Sequence, residues 1–226
     1  MLESLKNKIP LQLRARLADY RGRGVYAGYP DKYKCIFIHI PKAAGTSVTN
    51  ALFGPVSRHV PYFEYERGNP RKFAEYFKFT FVRNPWDRLL SAYIFLKKGG
   101  LNEMDRAWAD ENLGRFETFE QFVLEWVTEE NIWSWVHFKP QHHFICDKQG
   151  RCMMDFVGRM ETLAADFGVV RAKLGIEAQL SVLNRTRNEG YASHYTPQTR
   201  EIVAQVYKKD IEMFNYSFTN SKNLSE

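Results

Sequence analysis

The chain has few cysteines, only three among 226 residues. Three thiols cannot all pair with one another, so a scaffold held together by disulfides is excluded, and a reducing compartment would keep them as thiols. Cys35 lies in an apolar run and is predicted to be a core residue. Cys146 and Cys152 flank a polar turn. They could form a disulfide across a hairpin, or they could bind zinc together with the nearby His142 and His143. Their spacing fits no common zinc module, so we expect no metal.

The sequence also lacks an uninterrupted apolar stretch long enough to cross a bilayer, and it lacks a signal-peptide core with a small-residue cleavage site. We therefore expect a soluble, cytoplasmic protein. Internal repeats and low-complexity tracts are absent as well. The hydrophobic content of 44% and the aromatic content of 15% indicate a globular chain, and 226 residues suffice for one well-cored domain.

Acidic residues are fewer than basic ones, 26 against 32, and the net charge of +6 suits anionic ligands. The basic residues form no dense run, so we expect no nucleic-acid partner. The exception is the segment 1–24, where six basic residues alternate with leucines around Pro10. A packed or frayed helix is the preferred interpretation of this segment, with peripheral membrane contact as the alternative. We predict a basic extension over residues 1–30 and a single domain over residues 31–226.

The most informative segment begins as an apolar run from Cys35 to Ile40, which has the length and composition of a buried strand. The run stops at Pro41. The residues that follow are small or carry hydroxyls, apart from one lysine: Lys42, Ala43, Ala44, Gly45, Thr46 and Ser47. Small side chains leave the backbone N–H groups open to a ligand, and a helix start favours an anion. The segment therefore predicts a cradle for phosphate or sulfate.

The position of the lysine excludes one common kind of phosphate loop. In the P-loop of nucleotide-hydrolysing proteins the lysine follows the last glycine, whereas Lys42 here precedes Gly45. A kinase-like nucleotide site is therefore disfavoured.

A second segment has the same layout of strand, turn and helix. The residues from Phe79 to Arg83 predict a strand, Asn84-Pro85 predicts a turn, and the apolar spacing from Leu89 onward predicts a helix that carries Ser91. Arginine at a strand end suits a phosphate group, because its planar guanidinium can bind two oxygens at once.

Together the two segments resemble the sulfotransferases that use 3′-phosphoadenosine-5′-phosphosulfate (PAPS), in particular the membrane-bound carbohydrate type related to heparan 2-O-sulfotransferase, and their bacterial relatives. The family commonly has PKTGGTS where this chain has Pro41-Lys42-Ala43-Ala44-Gly45-Thr46-Ser47. The stretches DFVGRMETLAADF and YTPQTREIVAQVYKKDIEMFNY extend the resemblance over residues 34–216. The resemblance implies that residues 41–47 bind the 5′-phosphosulfate and that Arg83 and Ser91 bind the 3′-phosphate.

The resemblance further implies transfer of a sulfuryl group from PAPS to a hydroxyl of a carbohydrate or glycoconjugate, by in-line displacement and without a metal. Lys42 would stabilise charge on the leaving side. The segment around His59 resembles the one that carries the base histidine of hexuronic acid 2-O-sulfotransferases, and His59 is our candidate base. Glu64 and Glu66 are the reserve candidates.

The loop with Arg185 and Thr186 is a further candidate for donor binding, with a solvated turn as the equal alternative. A catalytically silent protein that binds adenosine 3′,5′-bisphosphate (PAP) for regulation is the alternative function.

The order of predicted elements indicates an α/β fold, because strands alternate with helices. The resemblance makes it a P-loop-like, three-layer fold with a mainly parallel central sheet. A third strand is predicted near Met154–Arg159, a helix over Glu161–Leu174 and another over Pro197–Phe214. The polar stretch Gly99–Gly114 is predicted to be a loop over the active-site side. The aromatic stretch Trp133–Ile145 is predicted to pack in the core, with an acceptor cleft as the alternative.

Overall fold

The computed structural model of the protein describes residues 10–55, 58–180 and 190–218. In this part of the chain three β-strands alternate with twelve α-helices. In chain order they are α1 Leu11–Tyr20, α2 Tyr29–Tyr33, β1 Cys35–Ile38, α3 Gly45–Leu52, α4 Tyr62–Gly68, α5 Pro70–Glu75, β2 Phe77–Val82, α6 Pro85–Lys97, α7 Glu103–Leu113, α8 Phe119–Trp126, α9 His142–Ile145, β3 Phe156–Arg159, α10 Leu163–Leu174, α11 Pro197–Val206 and α12 Lys208–Met213. Two short 3₁₀ turns lie at Asn131–Trp133 and Tyr191–His194.

The three strands form one parallel sheet in the order β1-β2-β3. Ile38 pairs with Thr80, and Val82 pairs with Arg159, so all three strands end at the same edge. Parallel strands need crossover connections, and helices supply them here. The predicted α/β fold with a parallel sheet flanked by helices is confirmed.

Both faces of the sheet are buried, as expected for strands that consist almost wholly of apolar residues. On one face, Phe37 and Phe79 pack with Val48 of α3 and with α10. On the other face, Ile36 and Ile38 pack with α4 and α5. The sheet is therefore the middle of three layers. A third core, made of aromatic and aliphatic residues of α6, α7, α8 and α11, extends the molecule beyond the sheet.

Two predicted stretches differ from the structure. The polar stretch Gly99–Gly114 contains a helix, α7, because Asn102 accepts a hydrogen bond from the N–H of Asp105 at its start and Leu113 is buried at its end. The predicted single helix over Pro197–Phe214 is interrupted at Tyr207, which separates α11 from α12. The helix predicted over Glu161–Leu174 is confirmed, and Gly175 ends it in the left-handed conformation.

Cys146 and Cys152 face each other across an antiparallel bridge, but both are free thiols. Cys35 is buried in the sheet, as predicted. Within residues 10–55, 58–180 and 190–218, no group of three or more histidines, cysteines or carboxylates is arranged to hold a metal ion. In the same ranges, no helix combines the length and the apolarity that a membrane span requires.

The N-terminal helix α1 packs on α4 and α5 through polar contacts. Asp19 accepts hydrogen bonds from Asn69 at 2.8 Å and from the ammonium of Lys72 at 3.0 Å. Further along, Tyr26 is fully buried and donates its hydroxyl proton to the carbonyl of Tyr65. The predicted boundary at residue 30 stays a prediction, although the buried Tyr26 joins the segment before it to the core.

Candidate functional site

A cavity of about 810 Å³ lies at the carboxyl ends of the strands. The first residues after the strands contribute to its wall, among them Lys42 after β1, Arg83 after β2 and Met160 after β3. Open parallel sheets bind ligands at this edge, because the loops that leave the strands converge there. A smaller cavity of about 470 Å³ lies beside Phe77 and Phe156, where β2 and β3 begin, and contains none of the predicted site residues.

The loop between β1 and α3 has an alternating backbone. Lys42 and Ala44 have φ angles of 65° and 63°, in the left-handed region that residues with a side chain rarely adopt. A backbone that alternates in this way turns successive N–H groups toward one concave side, which is a common arrangement for binding anions. The first bond of α3 runs from the N–H of Val48 to the carbonyl of Ala44. The N–H groups between these residues therefore have no acceptor within the helix.

Gly45 begins α3 directly against the imidazole of His39. A Cβ atom at position 45 would lie 1.8 Å from Cδ2 of that ring. Only glycine lets the loop approach the ring this closely. His39 is buried, and its Nδ1 has no hydrogen-bond partner within the described residues. Burial lowers its pKa to about 3, so the ring is neutral.

Lys42 points into the cavity and rests on an aromatic ring. Its Nζ lies 4.0 Å from the centroid of Phe95 in α6, which is a cation–π contact. Burial, with a smaller contribution from the positive charge of Arg83, lowers the pKa of Lys42 to about 8. The ammonium is therefore partly desolvated and interacts strongly with an anion that enters the cavity.

Arg83 connects the two predicted motifs. Its Nε and Nη2 each donate to a carboxylate oxygen of Asp87 at 2.7 Å, and its Nη1 donates to the carbonyl of Lys42 at 3.1 Å. A guanidinium carries five N–H bonds, so two remain for a ligand. The backbone of Arg83 is held as well, because the side-chain amide of Gln141 exchanges two hydrogen bonds with it. Arg83 thus fixes the lysine loop to the start of α6.

Most of the other predicted donor-binding residues lie at the same cavity. Ala44, Gly45, Thr46, Ser47 and Ser91 contribute to its wall. Pro41 and Ala43 belong to the same loop but are buried and do not contribute to the wall. Arg185 and Thr186 lie outside the described residues.

His59 reaches the cavity from the segment before α4. Its Nδ1 lies 2.9 Å from the carbonyl oxygen of His39, which can only accept, so Nδ1 carries the proton and Nε2 has a free lone pair. Burial lowers the pKa of His59 below its usual 6.5, while Asp105 and the carbonyl of His39 oppose the shift. A neutral imidazole with a free Nε2 is the form required of a general base.

The reserve candidates lie elsewhere. Glu64 forms an ion pair with Arg67 at 2.9 Å, and Glu66 is exposed. Neither contributes to the wall of the cavity.

A buried pair, Asp105 and His137, faces His59. Nε2 of His137 lies 3.2 Å from Oδ1 of Asp105, and the rings of His59 and His137 have centroids 5.7 Å apart. Trp135 donates to the same carboxylate oxygen from its Nε1, and the N–H of Leu101 donates to Oδ2. The pKa of His137 is lowered to about 4, mainly by burial. The ring is thus neutral at neutral pH.

Arg88 lies behind the cavity wall and joins two of its segments by hydrogen bonds. It is 1% exposed, and its guanidinium donates to carbonyls of the lysine loop and of the segment that contains His137. The acceptors are Pro41, His137, Phe138 and Lys139. No carboxylate within the described residues pairs with it directly, so backbone dipoles solvate this charge.

Asp105, His137 and Arg88 were not predicted from the sequence as site residues. Asp105 lies in the stretch Gly99–Gly114, whose predicted position over the active-site side agrees with the structure although it forms a helix rather than a loop. His137 lies in the aromatic stretch for which core packing is the preferred interpretation. Both interpretations hold for part of that stretch, since Phe138 and Phe144 are in the core while Trp135 and His137 line the cavity. The sequence does contain a signal for Arg88, because a charged residue within the apolar stripe of α6 indicates a buried charge with a specific role.

The sequence profile of the Sulfotransferase family matches residues 29–217. The chain belongs to the sulfotransferase family. The match includes the lysine loop, the segment after β2, the histidine at position 59 and the C-terminal helices. The sulfotransferase family membership predicted from the two motifs is confirmed.

Curated members with similar sequences include carbohydrate sulfotransferases. Carbohydrate sulfotransferase 14 of Mus musculus is 28% identical over 166 residues, covering 60% of this chain and 43% of that protein. Carbohydrate sulfotransferase 11 of Rattus norvegicus is 27% identical over 181 residues, covering 64% of this chain and 48% of that protein. The chain thus spans less than half the length of these relatives.

An uncharacterized protein of Archaeoglobus fulgidus is 27% identical over 126 residues, covering 55% of this chain and 90% of that protein. The comparison with solved structures found no match.

Proposed function

We propose that this chain is a sulfotransferase that moves a sulfuryl group from PAPS to a hydroxyl of a carbohydrate or glycoconjugate. The observation that carries the proposal is the convergence of Lys42, Arg83 and His59 on one cavity at the carboxyl ends of the strands. These are an anion-stabilising cation, a phosphate-binding guanidinium and a neutral base. Sulfuryl transfer needs each of them, since its demands are those of phosphoryl transfer.

The residues of the site fit the anionic groups of the donor. The N–H groups of residues 45–47 at the start of α3 have no acceptor within the helix, and Thr46 and Ser47, which carry hydroxyls, contribute to the wall of the same cavity. The 5′-phosphosulfate suits this loop. Within the described part of the chain two N–H bonds of Arg83 have no acceptor, and together with Ser91 they suit the 3′-phosphate. Asp87 is already bonded to Arg83, so its negative charge is partly compensated.

Lys42 acts on the leaving group and His59 on the acceptor hydroxyl. When bound, the donor supplies the sulfuryl group and the phosphate that leaves. The ammonium of Lys42 stabilises negative charge on the leaving side, and its desolvation in the cavity strengthens that effect. On the acceptor side, the free Nε2 of His59 takes the hydroxyl proton, while the carbonyl of His39 holds the ring in the correct tautomer. Neither role involves a metal.

Membrane contact and cellular location stay predictions from the sequence. Helix α1 leaves Leu13, Leu17 and Tyr20 exposed next to the exposed Arg16, a composition compatible with an anionic surface.

The proposal is tested by transfer of radiolabelled sulfate from PAPS to a panel of unsulfated glycans. We expect wild-type transfer to at least one glycan. In Lys42→Ala the rate should fall by about 10²-fold or more, because charge on the leaving group loses its stabiliser. Lys98→Ala, which removes an exposed lysine just after α6, is the matched control and should transfer normally. Tight binding of PAP without transfer to any glycan, or an active Lys42→Ala protein, would contradict the proposal.

A further inference from the structure

Cys146 and Cys152 lie directly opposite each other in a hairpin, where they form an antiparallel bridge pair. Two backbone hydrogen bonds flank the pair, from the N–H of Asp147 to the carbonyl of Arg151 at 3.0 Å and from the N–H of Met153 to the carbonyl of Ile145 at 2.8 Å. The cysteines therefore occupy a non-hydrogen-bonded position, where opposite Cα atoms are about 4.5 Å apart and the side chains are closest. A disulfide spans Cα atoms at about this distance, so the backbone can accept the bond without moving.

The two thiols have different surroundings. Cys146 is 8% exposed, and its Sγ lies 3.3 Å from Sδ of Met213 in α12. Cys152 is exposed. A hydrogen bond from Cys146 lowers the pKa of the Cys152 thiol, and the N–H of Met154 adds to this effect, while burial and the charge of Asp155 oppose it. Cys152 is therefore the accessible thiolate of the pair, and Cys146 is the protected thiol behind it.

This division of properties suits exchange with a disulfide in solution. A thiolate at the surface is the nucleophile that attacks such a disulfide, and a second thiol beside it displaces the group that becomes attached. Cys35 has neither property. It lies in β1 with no exposed surface, and burial raises the pKa of its thiol to about 12. Reactivity is thus concentrated at one pair of cysteines.

We propose that Cys146 and Cys152 form a reversible disulfide by exchange with a small-molecule disulfide such as oxidised glutathione. The thiolate of Cys152 attacks one sulfur of the small disulfide, which forms a mixed disulfide and expels one glutathione thiolate. The sulfur of Cys146 then attacks the sulfur of Cys152 and expels the second glutathione, which takes the proton of Cys146. Two protein thiols are oxidised, and one small disulfide is reduced to two thiols.

The site is separate from the proposed sulfuryl transfer, because neither cysteine contributes to the wall of the large cavity. The new bond would join the end of α9 to the segment that leads into β3. Closing this loop restricts the unfolded chain, so the oxidised protein should have a higher Tm than the reduced protein. The redox state of the surroundings would thereby set the stability of this part of the fold.

The test starts from the reduced full-length protein in mixtures of reduced and oxidised glutathione. Each sample is quenched with acid, unfolded and alkylated, and its peptides are identified by mass spectrometry. We expect a disulfide between Cys146 and Cys152 in the oxidising mixtures, which excess reduced glutathione opens again. Cys35 should be alkylated in every sample and is the internal control. Absence of the disulfide in all mixtures, or a disulfide that excess reduced glutathione leaves closed, would overturn the proposal.

Two variants separate the roles of the cysteines. Cys146→Ser should accumulate the mixed disulfide of Cys152 with glutathione, because the second displacement is lost. In Cys152→Ser the remaining Cys146 should be glutathionylated at least about tenfold more slowly, since it is buried and lacks thiolate character. Equal rates in the two variants would contradict the assigned roles. Sulfate transfer is not part of this test, so its failure leaves the outcome unaffected.

Discussion

At the scale of single residues, Lys42 and His59 have opposite charge requirements in one cavity. On the proposed function Lys42 acts as a cation and His59 as a neutral base, and burial lowers the pKa of both. The shift helps His59, because a lower pKa keeps the ring neutral at pH 7. It restricts Lys42, because an ammonium with a pKa of about 8 begins to lose its charge just above neutrality. The active protonation state is therefore confined to a limited pH range.

We expect a bell-shaped dependence of kcat/KM on pH, measured with PAPS and an unsulfated glycan that the wild-type protein sulfates. Activity should decline as pH falls through the lowered pKa of His59, below its usual 6.5, and as pH rises above about 8, where Lys42 loses its proton. In Lys42→Arg the side chain stays charged, so the residual activity should lack the alkaline decline. An alkaline decline near pH 8 that persists in Lys42→Arg would assign it to another group.

Residues within contiguous motifs could be predicted from the sequence, and residues assembled by packing could not. Lys42 and Arg83 each follow an apolar strand, and the order of residues around them was informative by itself. His137 lies in a turn and acquires its orientation from Asp105, which lies 32 positions earlier on α7. No local pattern specifies that contact, because it depends on how α7 packs beside α6.

At the scale of elements, the start of α3 decides how the lysine loop closes. The helix begins at Gly45, where the backbone lies against the ring of His39. Short helices derive most of their stability from packing. The loop geometry at Lys42 and Ala44 therefore depends on this close contact.

We predict that Gly45→Ala reduces PAP affinity by about tenfold or more, because the new Cβ would lie 1.8 Å from His39 and must displace the ring or the helix. Gly168→Ala is the matched control. Gly168 lies within α10 with nothing within 4 Å of an added Cβ, so this variant should bind PAP normally and be slightly more stable. Isothermal titration with PAP measures both. Equal affinities of the two variants would contradict the role given to the start of α3.

The error in predicting α7 has a physical cause. The stretch from Gly99 to Gly114 is rich in polar residues and has glycines at both ends, which is typical of a loop. Its helix is stabilised by the Asn102 cap and by burial of Ala109 and Leu113 in the helical core. Two of the five apolar residues of this helix are small alanines, so its buried face gives a weak signal in the sequence, and packing outweighed composition.

At the scale of the whole molecule, one buried cation joins the sheet to the helical core. The guanidinium of Arg88 donates to the carbonyl of Pro41 on the sheet side and to those of the segment His137–Lys139 on the helical side. The ring centroid of Tyr207, between α11 and α12, lies 5.6 Å from Cζ of Arg88. The two walls of the cavity therefore keep a fixed relation to each other.

We expect Arg88→Met to lower the free energy of unfolding by about 3 kcal/mol, since several buried carbonyls lose their donor. Urea denaturation measures the loss. Arg71→Met changes an exposed arginine and should be neutral within about 0.5 kcal/mol. A stability of Arg88→Met equal to that of Arg71→Met would show that the carbonyls find other donors.

The layered architecture was predictable from the sequence because three apolar runs, each followed by a turn and a helix, are a strong pattern for parallel strands. The connection between the sheet and the helical core was not predictable, since it depends on Arg88, whose partners are backbone carbonyls from a distant part of the chain.

The contact between Lys42 and Phe95 has a consequence for turnover. The aromatic face solvates the ammonium by a cation–π contact of about 1 kcal/mol, so the lysine side chain has a partner before any anion arrives. On the proposed function, a bound donor must compete with the ring for this charge, and departure of the spent nucleotide returns the ammonium to the ring rather than to an apolar void. Phe95 thereby weakens the hold on the product and favours its release.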